Sequence, residues 1–220
     1  MRIVLFTFLT LLSTNCFGQQ LHKYQVDSTM TVSIPDGYTI SDTMGMKVIT
    51  SQFDYGLIMV MVMPNKGKTE INVQDEEGLI KAYKGFVTGA VNAQKGQLIK
   101  QEIIEKNGLK CMRFSFKAAM GSEKQIRHSL AIFVNNNIYA LNFWKLESMT
   151  NEVEDEIADL RERFFASLIL PTNLTIKDQL NGTYEDSIKD DRAYVLGELI
   201  GYGFMLALLI LGIVWISKKV

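Results

Sequence analysis

Apolar and polar positions divide the chain into stretches of different period. From Tyr24 to Pro64 short runs alternate with turn residues: "KYQV", "MTVSIP", "KVITSQF" and "GLIMVMVMP" read as strands, with a turn at "PDGY", Pro35 to Tyr38. The last run is apolar without a break from Leu57 to Met63, which predicts a strand covered on both faces. The period then changes. Leu79, Ile80, Tyr83, Phe86, Val87, Ala90 and Val91 form one stripe of a helix, with Asp75 as its N-cap and Glu76 and Glu77 at the positive end of its dipole.

Four further strands follow, "QLIKQEIIEK", "LKCMRFSFKA", "QIRHSLAIFV" and "NIYALNFWKL". The turns between them are "KNG" at 106–108, "AMGSE" at 119–123 and "VNNN" at 134–137, so neighbours pair as antiparallel hairpins. A second amphipathic helix spans 151–170, with Val153, Ile157, Leu160, Phe164, Phe165 and Leu168 inward and an acidic first turn, and Pro171 stops it. Strands, helix, strand meander, helix is an α+β order: an antiparallel β-sheet packed with two amphipathic helices, one on each face or both on one.

Two apolar runs flank this body. Residues 1–18 carry Arg2, an apolar stretch from Ile3 to Leu12, and small residues at Cys16 and Gly18, the pattern of a signal peptide cut after Gly18. Lipidation of Cys16 is the alternative, although Asn15 is a poor residue to precede a lipidated cysteine. The second run, Leu199–Ile216, has no charge and spans about 27 Å as a helix, close to the apolar thickness of a bilayer. Trp215, Lys218 and Lys219 follow the positive-inside rule with the C-terminus in the cytoplasm. The expected organisation is a signal peptide (1–18), an extracytoplasmic α+β domain (19–170), a polar linker (171–195), a C-terminal transmembrane helix (196–217) and a short cytoplasmic tail (218–220). The expected location is a bacterial inner membrane, with the domain on the periplasmic side.

The quoted stretches "MTVSIPDGYTISD", "GLIMVMVMP", "RFSFKAAMG", "NIYALNFW" and "RERFFASLIL" follow one another as in the PsbP-like and DcrB-like proteins, a group that includes the nuclear import factor binding the GTPase Ran. The chain resembles that group over roughly Gln20 to Leu170. The resemblance implies an α+β domain in a group of photosystem subunits, GTPase-binding adaptors and envelope proteins, and the apolar C-terminal run makes the chain look like the membrane-anchored bacterial versions. A shared fold does not by itself transfer a function.

A net charge of −1 gives no general attraction to polyanions, which argues against nucleic acid as a partner. With Cys16 in the leader, Cys111 stands alone and no intramolecular disulfide is expected. The sequence has no G-x-S-x-G, H-E-x-x-H, phosphate-binding glycine loop or paired CxxC. The best local catalytic candidate is Cys111 with His128. If residue numbers on the two strands sum to about 241, His128 faces Arg113 and Cys111 lies two residues along on the same face, which would favour a thiolate. The ordinary alternative is a cysteine acting as a small core hydrophobe.

Met59, Met61 and Met63 share one strand face, a soft-metal pattern that reads more simply as flexible core filler; no cofactor or metal is expected. His22 is expected to be solvated and idle. Asp186, Asp190 and Asp191 lack the spacing of a calcium loop. The partners expected are the lipid bilayer and another envelope protein. Gly197 with Gly201, and Gly203 with Ala207, have the small-xxx-small spacing that lets two membrane helices approach, so a homodimer through that helix is a further expectation. The leading functional reading is a noncatalytic scaffold; the alternatives are a thiol-dependent enzyme and an assembly or stress factor acting through the membrane helix.

Overall fold

The computed structural model describes residues 20–43, 45–66 and 70–180. The signal peptide, Cys16, the linker beyond residue 180, the acidic residues Asp186, Asp190 and Asp191, and the membrane run with Gly197, Gly201, Gly203 and Ala207 lie outside the described residues. Among the described residues no helix is long and apolar enough to cross a membrane.

Among the described residues nine strands and two α-helices make an α+β body. In chain order they are β1 (Leu21–Gln25), β2 (Thr31–Pro35), β3 (Thr39–Thr43), β4 (Met46–Phe53), β5 (Gly56–Pro64), α1 (Glu76–Ala93), β6 (Gln97–Lys106), β7 (Leu109–Met120), β8 (Glu123–Val134), β9 (Asn137–Leu146) and α2 (Asn151–Ala166). A 3-10 turn at Ile176–Gln179 follows. Seven strands form one antiparallel sheet in the order β3-β4-β5-β9-β8-β7-β6, and β1 pairs with β2 in a separate hairpin.

Each face of the sheet has its own core, because side chains alternate along every strand. On one face Leu57, Met59, Met61 and Met63 of β5 pack with Phe114 and Phe116 of β7 beneath Leu79, Tyr83, Phe86, Val87 and Val91 of α1. On the other Ile58, Val60 and Val62 meet Leu141 and Phe143 beneath Ile157, Leu160 and Phe164 of α2, with Met30, Val32 and Ile34 of the β1–β2 hairpin completing the cover. The unbroken apolar run of β5 is therefore buried on both sides. The predicted cap of α1 is made, Asp75 accepting from the Gly78 N–H at 2.7 Å.

The hairpin turns set the register. Asn107, Asn135 and Asn136 adopt positive φ (53°, 51° and 57°), the conformation of tight two-residue turns whose twist matches the strands. Between β7 and β8 the turn is the pair Gly121 and Ser122, with Gly121 at φ 63° and Met120 opposite Glu123. The residue numbers of paired positions thus sum to 243 and not 241. The two-residue shift preserves which face each side chain occupies but changes its neighbour.

Two expectations change. Strand β3 adds an edge that the apolar pattern did not mark, held by its backbone ladder to β4 and a 2.7 Å contact between the Thr39 and Thr50 hydroxyls. The second is the linker, expected from residue 171: its first part, 171–180, packs on the body. Leu174 is buried in the α2-side core, Ile176 and Leu180 lie against the α1-side core, and Gln179 is fully buried between them. Polar text read as solvated is here used to meet backbone groups at the end of the sheet.

Candidate functional site

The predicted pair, Cys111 and His128, lies on the face covered by α2, but the two are not brought together. His128 faces Ser115, and Arg113 faces Leu130. At the same register Cys111 falls level with Ile132, four residues from His128, or roughly 13 Å along the strand. The expected Arg113–His128 pairing is thus corrected by the tighter Gly121 turn.

The surroundings of each group follow from α2. Cys111 is fully buried in the α2-side core, its thiol 3.8 Å from the Leu109 carbonyl, and burial pushes its pKa up to about 12 against the opposing pull of Lys106. Lys106 itself donates to the carbonyls of Phe165 and Ala166 at the end of α2, where a cation meets the negative end of the helix. His128 Nε2 lies 3.3 Å from an Arg161 nitrogen; since a guanidinium only donates, the imidazole nitrogen is the acceptor. Burial first, then the charges of Arg161, Lys145 and Arg113, lower the His128 pKa to about 4, with Glu162 opposing. At neutral pH the pair is a protonated thiol and a neutral imidazole, held apart.

A charged network rims α2. Arg113 donates to both carboxylate oxygens of Glu162 at 2.9 and 3.1 Å, Arg161 reaches the same carboxylate at 3.0 Å, and buried Lys145 pairs with Glu154. On the α1 face the one cation in the core among the described residues is Arg127, 3% exposed, stacked on the Trp144 ring at 3.9 Å and donating to Gln125 Oε1. Among the described residues Arg127 has no carboxylate partner. Burial lowers its pKa to about 10, so it stays charged at neutral pH.

Of the other sequence candidates, Met59, Met61 and Met63 are core residues. Among the described residues no three His, Cys, Asp or Glu side chains cluster to hold a metal ion. His22 forms an exposed 3.1 Å pair with Asp36 and lines an open groove of about 400 Å³ between the β1–β2 hairpin and the end of α2, with Ser33, Arg163 and Ser167.

The most elaborate polar arrangement was missed in the sequence. The pairing of β7 with β8 runs from Met120↔Glu123 to Met112↔Ala131 and stops there. Beyond it β7 stays paired to β6 as far as Leu109, and β8 to β9 as far as Val134, so the two hairpins splay apart. Side chains replace the missing ladder. Tyr83 of α1 donates to the Lys110 carbonyl and accepts from the Phe133 N–H, both at 2.8 Å. Gln179 accepts from the Lys110 N–H at 2.8 Å and donates to the Lys110 and Phe133 carbonyls at 2.8 and 2.9 Å. The backbone adds one more bond, from the Asn135 N–H to the Asp178 carbonyl. Burial raises the Tyr83 pKa far above the usual phenol value, so the hydroxyl remains a donor. The only signal available in sequence was a glutamine in a stretch with three spaced apolar residues.

No family model and no curated protein matches the chain. Among solved structures it is similar to the cyanobacterial PsbP protein of Synechocystis, with 11% identity and a TM-score of 0.49 over 72% of this chain and 96% of that one. It is also similar to the Ran-binding protein Mog1p of Saccharomyces cerevisiae, with 8% identity and a TM-score of 0.40 over 74% and 100%. A third likeness is to LpqN of Mycobacterium tuberculosis, described as involved in cell envelope biogenesis, with 11% identity and a TM-score of 0.44 over 69% and 91%. These proteins belong to the PsbP and Mog1 fold group; at such identities the likeness concerns the arrangement of strands and helices and carries no function.

Proposed function

We propose that the body is the extracytoplasmic part of a noncatalytic, single-pass envelope protein that binds or scaffolds another envelope protein beside the membrane. The observation that carries the reading is the charge-free run Leu199–Ile216 followed by Lys218 and Lys219. A helix of that composition is costly to leave in water and favourable in lipid, and the lysines keep its end in the cytoplasm. The body then lies on the outer side, preceded by a leader that directs export.

The state of the best nucleophile supports binding over chemistry. A thiol that attacks must be ionised and reachable, whereas Cys111 is sealed beneath α2 with its pKa raised and its nearest imidazole several residues away. Protease added to intact spheroplasts should degrade the body, and alkaline carbonate should leave the protein in the membrane. Crosslinking in membranes should recover an envelope protein. Protection of the body in spheroplasts, release by carbonate, or turnover of a substrate by the purified protein would each overturn the reading.

A further inference from the structure

We propose that the outer edge of β6 pairs antiparallel with the same strand of a second copy of this chain, about a two-fold axis at Gln101. Strand β6 ends the seven-stranded sheet, and among the described residues no strand pairs with its outer side. It is ten residues long, where the opposite edge strand β3 has five. An edge of that length is a template for another strand, and on it Leu98 and Ile99 are 40% and 50% exposed. The pairing does not depend on how the chain is anchored, so its test is independent of membrane topology.

The backbone fixes which groups of β6 face outward. Lys110, opposite Glu105, turns its N–H and its carbonyl away from β6, to Gln179 and Tyr83. Glu105 and Lys110 therefore form a pair without mutual hydrogen bonds, and by alternation Gln101, Ile103 and Glu105 direct their own N–H and C=O groups outward. The side chains then select the centre of the pairing. With the axis at Gln101, Lys100 of each copy stands opposite Glu102 of the other, at the close spacing of a pair without hydrogen bonds. Within one chain these two side chains already meet at 2.7 Å, so pairing exchanges each partner for its equivalent across the axis and strands neither charge. The same axis brings Ile103 to the bulge between Leu98 and Lys100, on the face where Leu98 lies opposite Phe116 and Ile103 packs on the α1-side core. An axis at Lys100 or Glu102 would oppose like charges, and one at Ile103 would set Lys100 against Lys106. An axis at Ile104 would leave Leu98 and Ile99 uncovered and draw on Lys106, whose ammonium already binds the end of α2. The charges thus exclude other registers while matching this one.

The test places single cysteines on this edge in the full-length protein, which is oxidised mildly in the cells that express it and again in detergent micelles; buried Cys111 stays in place and the parent is the control. Gln101→Cys sets two thiols on the axis, with Cα atoms about 5.5 Å apart and within reach of a disulfide. In Glu105→Cys the two positions lie roughly 26 Å apart, and in Ile103→Cys roughly 13 Å. Covalent dimer should therefore form at least about tenfold more in Gln101→Cys than in the other two. Added to Gln101→Cys, either Lys100→Glu or Glu102→Lys puts like charges in both flanking pairs and should lower the yield by about fivefold or more. Mixing those two variants should restore it as a mixed dimer, because both flanking pairs are then opposite in sign although each chain's own pair stays broken. Absence of covalent dimer, a maximum at position 103 or 105, a disulfide to a different protein, or yields unmoved by the charge changes and their mixing would overturn the pairing.

Discussion

On the α1 face of the sheet Arg127 is buried against Trp144 and, among the described residues, has Gln125 as its polar acceptor; on the α2 face Arg113, Arg161, Lys145 and His128 share Glu154 and Glu162. The first face is a continuous apolar layer in which one charge is held by a ring. The second is apolar at its centre and charged at its partly exposed rim, where the charges pair with each other. Substitutions on the α1 face should therefore act on stability at any pH. Substitutions on the α2 face should act through pH and salt.

The largest effect is expected at Trp144, 2% exposed, whose truncation removes an aromatic ring from the core and uncovers the Arg127 guanidinium. Trp144→Ala should cost about 4 kcal/mol in urea unfolding. Next comes Arg127. Its charged form is disfavoured by burial, so Arg127→Met, which keeps the length and loses the charge, should stay within about 1 kcal/mol of the parent, while Arg127→Ala opens a cavity and should cost about 3 kcal/mol. Equal losses in the two variants would mean that the cation on the ring, and not packing, stabilises this face.

How much of this was legible depended on which groups make each element. Strands β5 to β9 and their turns could be read because apolar runs and Asn or Gly at the turns are side-chain signals. The α1 cap at Asp75 was read for the same reason. Strand β3 was not legible: it has no buried residue, its apolar Ile40 is 52% exposed, and it is held by backbone bonds that leave no trace in composition. The segment carrying Gln179 reads as a linker because the groups it satisfies, at Lys110 and Phe133, are main-chain atoms far away in sequence. The shared face of Cys111 and His128 survived the register shift because a period of two is blind to a slip of two; their separation did not survive it.

On the α2 face the expected signature is acid sensitivity. The folded protein keeps His128 neutral down to about pH 4, whereas the unfolded chain takes up a proton near the ordinary 6.5. Above pH 6.5 the residue contributes no difference; as the pH falls from 6.5 toward 4 the unfolded state binds the extra proton and stability is lost. Arg161, Lys145 and Arg113 deepen that loss, and Glu162 moderates it. Relative to His128→Asn, the parent should lose about 2 kcal/mol across this window in urea titrations, after allowance for partial exposure of the ring. Parallel pH profiles for the two proteins would remove His128 from the account.

The smallest effect, and the one that tests whether the rim acts as a network, is at Glu162. Burial works against its charge, but Arg113 and Arg161 together hold its carboxyl below the usual carboxylate range, so its contribution is present at neutral pH and lost as the pH falls through its folded value. Its side chain is 51% exposed, and water and salt screen such a pair, so Glu162→Gln should cost less than about 1 kcal/mol at neutral pH and less still in high salt. The more telling readout is at a distance from the substitution. Without the carboxylate, the positive charges of Arg161 and Arg113 act on His128 unopposed, so the imidazole should titrate lower in Glu162→Gln than in the parent when followed by NMR. An unshifted imidazole would mean that the two residues share a helix rim without sharing a field, and that each pair on this face acts alone.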